Sequence, residues 1–558
     1  MKVKVKQRIR PLFLLIIFLA HFHEGFSQRM KTAATDQPVL ASSQGLVVGI
    51  VVDQMRYDYL YKFWNKYSDG GFRRLVREGF VFGNANFNYV PTNTAPGHAC
   101  IYTGTTPSVN GIINNEWYDR NSRDVIYCVN DTTVMPVGTT SISGKMSPKN
   151  LLTTTVTDEL RLATNMKSKV IAISLKDRGA VLPAGNLANA AYWHDPYTNN
   201  WVSSTYYMEE LPGWAKEFNA RKMADSLTNY KWNTFFPISE YTESSPDDNS
   251  YEGLFDGEKR PVFPHDLPAL KKEESELIRA TPFGNTFTME YAKASVIGEK
   301  LGKGNATDFL AVSFSSTDYI GHKYGINAIE LEDAYIRLDR DIAAFLNFLD
   351  TWTGNNYLMF LSSDHGAVNN PEYLLDHNLK GGNIASRKLS DSLKAYLKNL
   401  YGSDSLVLNA SSHNIFLNRS FIQSKKMNLE EIQNACVTFL VGFEGVSVAM
   451  TSTELSKGIK RTGMASFIQN GFHVQRSADV MIQLQPGWIS WYSKTGTTHG
   501  AGYSYDTHVP IIFFGKTIKP GFSSEPVSIC DIAPTISTLL NIEFPNGNSG
   551  KPLAPLFK

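Results

Sequence analysis

The residues most suited to chemistry in this chain are Asp53, Asp318 and Asp364, His322, His365 and His499, and the hydroxyl of Thr94. Three carboxylates and three imidazoles supply the hard oxygen and nitrogen donors that zinc accepts. Three carboxylates brought to one place would repel each other unless cations lay between them. Six donors divide naturally into two sets of three, each with a position left open for substrate or water. Asp318 and His322 are four apart, so one helical turn aims both at one ion. Asp364 and His365 are adjacent, and a sharp turn after a strand can point both inward. Thr94 stands in Thr92-Asn93-Thr94-Ala95-Pro96-Gly97-His98, a turn opening a helix with Thr94 at the cap position and Pro96 in the first turn. A hydroxyl there faces unpaired backbone N–H groups, which attract an anion such as phosphate. Lys176-Asp177-Arg178 offers two cations suited to a dianion, and Asn115 offers an amide donor.

Each piece also has a plain structural reading. Thr94 serves equally as an ordinary helix cap, Asp53 as a cap for the stretch after it, Lys176 and Arg178 as surface ion pairs, and Asn115 as a turn residue. His98, His194, His265, His377, His413, His473 and His508 read as satisfied core or surface groups. What favours a site is the coincidence of charged and imidazole residues at several predicted strand ends.

The elements that must position them follow from the pattern. Leu46–Val52 and Val170–Leu175 are continuous apolar runs, as in strands buried on both faces of a parallel sheet. The first ends in Asp53 and the second in Lys176. Phe309–Phe314 is a strand running into Asp318 and His322. A helix follows with Leu331, Tyr335, Leu338, Ile342, Phe345 and Leu349 on one face, and then the strand Tyr357–Leu361 runs into Asp364 and His365. A right-handed crossover makes those two strands parallel, so both deliver Asp and His to one sheet edge. His508–Phe514 resumes the strand pattern, and Asp531 opens a closing helix through Leu540. The expected fold is α/β, a largely parallel central sheet with helices on both faces. Residues at about 183–285 and about 385–490 read as insertions capping the sheet, the second with helices near Lys388–Tyr401 and Leu429–Leu440 and a short strand at Asn414–Leu417.

With 558 residues and a net charge of +1, the chain shows no basic stripe that would favour nucleic acid. Five basic residues precede an apolar run over Leu12–Phe22, and Gly25 and Ser27 offer a cleavage point, which predicts a signal peptide over 1–27. A flexible leader over 28–44 follows. The apolar run is short for a membrane span and no other segment qualifies, so export to the periplasm, or secretion, is expected. The four cysteines are scattered and fix no pairing, and Cys100 reads as a buried helix residue.

Taken in order, Val51-Val52-Asp53-Gln54-Met55-Arg56, the segment Pro91–His98, Ser174–Arg178, Ser316–His322, Ser363-Asp364-His365-Gly366, Gly496–His499 and Asp531–Thr535 resemble the motifs of the alkaline phosphatase superfamily. The resemblance is closest to periplasmic phosphate-irrepressible alkaline phosphatases with a threonine nucleophile, and it makes 45–558 one catalytic domain. It implies two zinc ions, one held by Asp318, His322 and His499, the other by Asp53, Asp364 and His365 with Thr94 as nucleophile upon it. Asn115, Lys176 and Arg178 would hold phosphoryl oxygens. A lysine stands where better-known relatives use magnesium, so no required magnesium is expected. The implied reaction is hydrolysis of small phosphate monoesters through a phosphothreonine, by a monomer. The alternative is a phosphodiesterase or nucleotide pyrophosphatase of the same superfamily, and the pairing of Lys176 with Arg178 favours the dianionic monoester. The Cys-x-Pro-x-Arg pattern of sulfatases is absent around Thr94.

Overall fold

The computed structural model describes residues 45–271, 276–411 and 413–557. The predicted signal peptide and leader lie outside the described residues. The fold is built on an 11-stranded sheet. Its centre is five parallel strands in the order Tyr357–Ser362, Leu46–Val52, Asp308–Phe314, Val170–Ser174 and Ala190–Asp195. The strand–helix–strand unit read from the sequence is parallel as expected, and Leu46–Val52 lies between its two strands. His508–Gly515 pairs antiparallel with Tyr357–Ser362, and Asn200–Ser204 antiparallel with Ala190–Asp195, so the flanks are mixed where the centre is parallel.

Leu46–Val52 is buried along its whole length because both of its faces are covered. Leu46, Val48, Ile50 and Val52 join one core, against the helices Phe283–Glu299 and Ile329–Thr353. Val47 and Val51 join the other, with Thr94–Thr103, Val156–Ala163, Asp177–Ala184 and Ile532–Leu540. This alternation is the two-residue period of a strand read against two layers of helices. The six apolar positions expected on the long helix are all buried.

Within 183–285, Ala190–Asp195 and Asn200–Ser204 extend the main sheet instead of capping it. Their Trp193, Trp201 and Tyr192 fill its core, and that aromatic content hides the apolar run by which a buried strand is usually read. Within 385–490, helices Ser386–Tyr401 and Leu429–Val441 pack on a four-stranded antiparallel sheet of Val407–Ala410, Asn414–Leu417, Val480–Leu484 and Val446–Thr451, around a core of its own.

Parallel strands put all their C-terminal ends on one edge. Val51 pairs with Ser362 and Ser313, and Ser174 pairs with Ser313, so the strands end level. Asp53, Lys176, Asp318 and Asp364 therefore emerge within a few residues of a common line.

Candidate active site

Thr94 is the first residue of the helix Thr94–Thr103, one place inside the cap position expected for it, and Asn93 takes the cap. Asn93 is extended, whereas Thr94 is already the first residue of the helix, which places its hydroxyl at the helix N-terminus. Gly104 ends the helix in the left-handed region at φ 65°. Gly97 lets this helix lie directly on Asp364, since a Cβ there would run into the Asp364 backbone.

Thr94 Oγ1 lies 3.4 Å from Lys176 Nζ and 3.5 Å from His365 Nε2. Lys176 Nζ donates to Asp53 Oδ2 at 2.6 Å and to Asp318 Oδ2 at 2.5 Å, all three side chains being buried. Burial works against the ammonium charge, but Asp318 and Asp53 hold its pKa above the ordinary lysine value. One ammonium faces three carboxylates, and the balance is unfavourable. Burial, together with the charges of Asp318 and Asp364, pushes the Asp53 carboxyl well above its ordinary range. Asp53 Oδ1 and Asp364 Oδ2 are buried without a hydrogen-bond partner.

The histidines show how that imbalance is met. His322, His365 and His499 each direct Nδ1 at a backbone carbonyl, of Thr497 at 2.8 Å, Gly366 at 2.9 Å and Thr92 at 2.8 Å. That partner makes Nδ1 the protonated nitrogen and leaves Nε2 as a lone pair facing the carboxylates. Their Nε2 atoms stand 3.3 Å (His322) and 3.6 Å (His499) from Asp318 Oδ1 and 3.5 Å (His365) from Asp53 Oδ1. Burial lowers the pKa of His365 and, more strongly, of His499, which keeps them neutral. Neutral imidazoles and unpartnered carboxylate oxygens are donor groups in the state that a metal requires.

Two sets of donor atoms lie within 4.8 Å of one another, Asp53 with Asp364 and His365, and Asp318 with His365 and His499. His365 belongs to both, and its ring stacks on His499 at 3.5 Å. His322, placed with Asp318 and His499 by the resemblance, contacts Asp318 and lies 5.1 Å from His499, ring centre to ring centre.

Asn115 Oδ1 accepts from Ala95 N at 2.8 Å, which places its amide group beside Thr94 at the start of the helix. Arg178 is farther out. Its Nη1 donates to Tyr127 Oη at 3.1 Å, Tyr127 bonds Asp177, and Nε is buried without a partner. Lys176 and Arg178 share a cavity of about 600 Å³ with Tyr319 and Arg279.

Three supporting residues escape a reading of the sequence by ligand type. His98, which reads as a satisfied core group, is fully buried, and its Nδ1 lies 2.9 Å from Thr94 O and 3.3 Å from Asp364 Oδ2. Its place four residues after Thr94 on one helix is the signal that could have found it. Gln54 donates from Nε2 to Asp318 Oδ1 at 2.6 Å and from its backbone to Asp364 Oδ1 at 3.2 Å. It does so from the left-handed region at φ 66°, a conformation that no residue pattern announces. Asp506 holds the loop after His499 by accepting from Gly500 N and Ala501 N.

A family model described as type I phosphodiesterase / nucleotide pyrophosphatase matches residues 47–508. The chain belongs to this family. It is 43% identical to alkaline phosphatase PafA of Elizabethkingia meningoseptica, over 95% of this chain and 96% of that one. It is 42% identical to alkaline phosphatase PhoV of Synechococcus elongatus, over 98% and 99%. A protein of Myroides odoratus named a calcium-transporting ATPase is 46% identical over 91% and 94%. The crystal structure of wild-type PafA superposes with a TM-score of 0.90, covering 92% of this chain and 99% of that one. A second PafA structure carries replacements of a threonine, an asparagine, a lysine and an arginine. Within this family the chain stands with the alkaline phosphatases. Among its described residues, no helix is long and apolar enough to cross a membrane.

Proposed function

We propose that this chain hydrolyses phosphate monoesters in two steps through Thr94, with two zinc ions. The observation that carries the reading is the Thr94 hydroxyl at a helix N-terminus, between Lys176 Nζ and His365 Nε2 and facing three carboxylates and three inward Nε2 atoms. Asp53, Asp364 and His365 would hold one ion, and Asp318 and His499 with His322 the other. When bound, the ions lower the pKa of the Thr94 hydroxyl and take up charge on the leaving oxygen.

Thr94 Oγ1 loses its proton to solvent, attacks phosphorus in line and displaces the ester oxygen, which leaves as the alcohol after taking a proton from water. The phosphothreonine is then attacked by water, phosphate departs, and the hydroxyl is restored. The NH2 of Asn115 and the Arg178 guanidinium bind the equatorial oxygens, where charge gathers in a loose transition state. Lys176 holds Asp53 and Asp318 together and keeps a positive charge beside Thr94. Its ammonium lies against the two carboxylates that would otherwise call for a further cation, which supports an enzyme without required magnesium. The replaced residues of the PafA variant add support. Its threonine and asparagine are 21 positions apart and its lysine and arginine 2 apart, the same as Thr94 to Asn115 and Lys176 to Arg178.

The N-terminal signal pattern supports export to the periplasm. The diesterase alternative differs in the charge of its substrate. The test is kcat/KM for an aryl phosphate monoester against the matching diester on zinc-loaded protein, together with Thr94→Ala. A monoester-to-diester ratio well above one, and a variant that retains zinc but no turnover, are expected. A ratio below one moves the chain to the phosphodiesterase reading, and normal turnover by the variant removes Thr94 as nucleophile.

A further inference from the structure

The residues that surround the reacting atoms differ sharply in access to solvent. Asp53, Asp364 and His365 are completely buried, and Asp318 is 2% and His499 6% exposed at the side chain. His322 is 22% exposed. An ester group cannot be housed on the buried side, which leaves the His322 side and the cavity beside Lys176 and Arg178. Arg178 stands on the other open flank and is committed to the phosphoryl oxygens.

Two aromatic residues frame the His322 side. The Trp491 indole stacks on the His322 ring, with 4.9 Å between centroids and 13° between planes. Tyr492 follows, its ring 4.2 Å from that of Trp491, and it is 89% exposed. Trp491 is fixed at its backbone N–H, its carbonyl and its indole N–H. Asn383 Oδ1 accepts from Trp491 N at 3.0 Å and its Nδ2 donates to Trp491 O at 2.9 Å, while Trp491 Nε1 donates to Thr495 O at 3.2 Å. Trp491 therefore covers one face of His322, and the Tyr492 ring leans on Trp491 at 42° and reaches into solvent. A tyrosine ring leaning on an anchored indole beside the open side of a site offers apolar area at the cost of only two side-chain torsions when a ring covers it.

We propose that Trp491 and Tyr492 form the subsite for the ester group, and that they select flat, apolar leaving groups such as phenols. Tyr492 is the specificity-determining residue, and Trp491 is a positioning residue for both His322 and the Tyr492 ring. The inference rests on the phosphomonoesterase reading above and names the substrate class for it.

The experiment compares phenyl phosphate with methyl phosphate on zinc-loaded parent, Tyr492→Ala and Tyr492→Phe enzymes, and measures competitive inhibition by phenylphosphonate against methylphosphonate on the same proteins. Intrinsic leaving-group reactivity cancels when each variant is divided by the parent. In Tyr492→Ala the phenyl-to-methyl ratio of kcat/KM is expected to fall about fivefold, with an equal fall in the ratio of inhibitor affinities. Tyr492→Phe, which keeps the ring, is expected to hold both ratios. The inhibitor ratio reads binding alone, so an effect on chemistry cannot imitate it. Unchanged ratios in Tyr492→Ala, or equal falls in both variants, overturn the subsite. Turnover of both esters by the parent carries the reading of the reaction, and only the ratios carry this one.

Discussion

Lys176→Met removes the cation that binds Asp53 to Asp318 while keeping an unbranched side chain only one atom shorter. In the parent, two bonds of 2.6 and 2.5 Å join these groups, with every side chain at most 2% exposed. Breaking a buried ion pair by deleting one partner costs about 3–5 kcal/mol, because the other charge is left uncompensated. Here two carboxylates are left, and burial and mutual repulsion already oppose the ionised form of Asp53. Unfolding entropy near 2.1 cal/mol/K per residue gives about 1 kcal/mol/K for a folded unit of roughly 500 residues. The expected fall in Tm of metal-free protein is thus about 3–5 °C, read by differential scanning calorimetry at neutral pH. Zinc is expected to return part of it, since added cations satisfy the same carboxylates. Turnover does not follow that recovery, because the charge beside Thr94 is still missing, and kcat/KM falls about 100-fold. A metal-free Tm equal to or above that of the parent would refute the reasoning, since Lys176 would then not be what holds the carboxylates together.

Three further outcomes are expected. Arg178→Ala lowers kcat/KM for an aryl monoester about tenfold more than for the matching diester, because the Lys176 charge is already balanced by Asp53 and Asp318 and Arg178 reads the second charge of the dianion. Equal losses on the two substrates would remove that role. Chelation of metal abolishes turnover, and zinc alone restores it without magnesium, measured by activity and bound metal together. His265 tests the fold away from the site. Burial opposes its charge, but bonds to Glu258 at 2.8 Å and Glu330 at 3.2 Å outweigh this and push its pKa from 6.5 up to about 9. A raised histidine pKa adds stability that is complete below pH 6.5 and is lost as pH rises through about 9. Tm should therefore fall across that interval, and His265→Gln should flatten the fall. An unchanged slope in the variant would show that His265 does not carry it.

The sequence by itself determined the parallel centre and the residues at its edge. Seven unbroken apolar residues before Asp53 require cover on both faces, and a strand so covered belongs to a sheet between helix layers. Level C-terminal ends then bring Asp53, Lys176, Asp318 and Asp364 together, whatever connects the strands. Local order also sufficed for the Thr94 helix, whose proline and terminal glycine act within one or two turns. Only the tertiary structure decided the rest. Ala190–Asp195 joins the sheet because its tryptophan and tyrosine find a core supplied by helices distant in the chain. The Lys176 ammonium settles between Asp53 and Asp318, 123 and 142 residues away, because charge balance at that point is a property of the assembled edge. The same holds for the histidine tautomers. For His322 and His499, Nδ1 finds a carbonyl on a distant segment, of Thr497 and Thr92, whereas His365 uses that of the next residue, Gly366, and without those carbonyls the residue types alone cannot say which nitrogen faces the ion. Side-chain type and strand order are written locally, whereas hydrogen-bond direction and charge compensation depend on partners that only folding brings within reach.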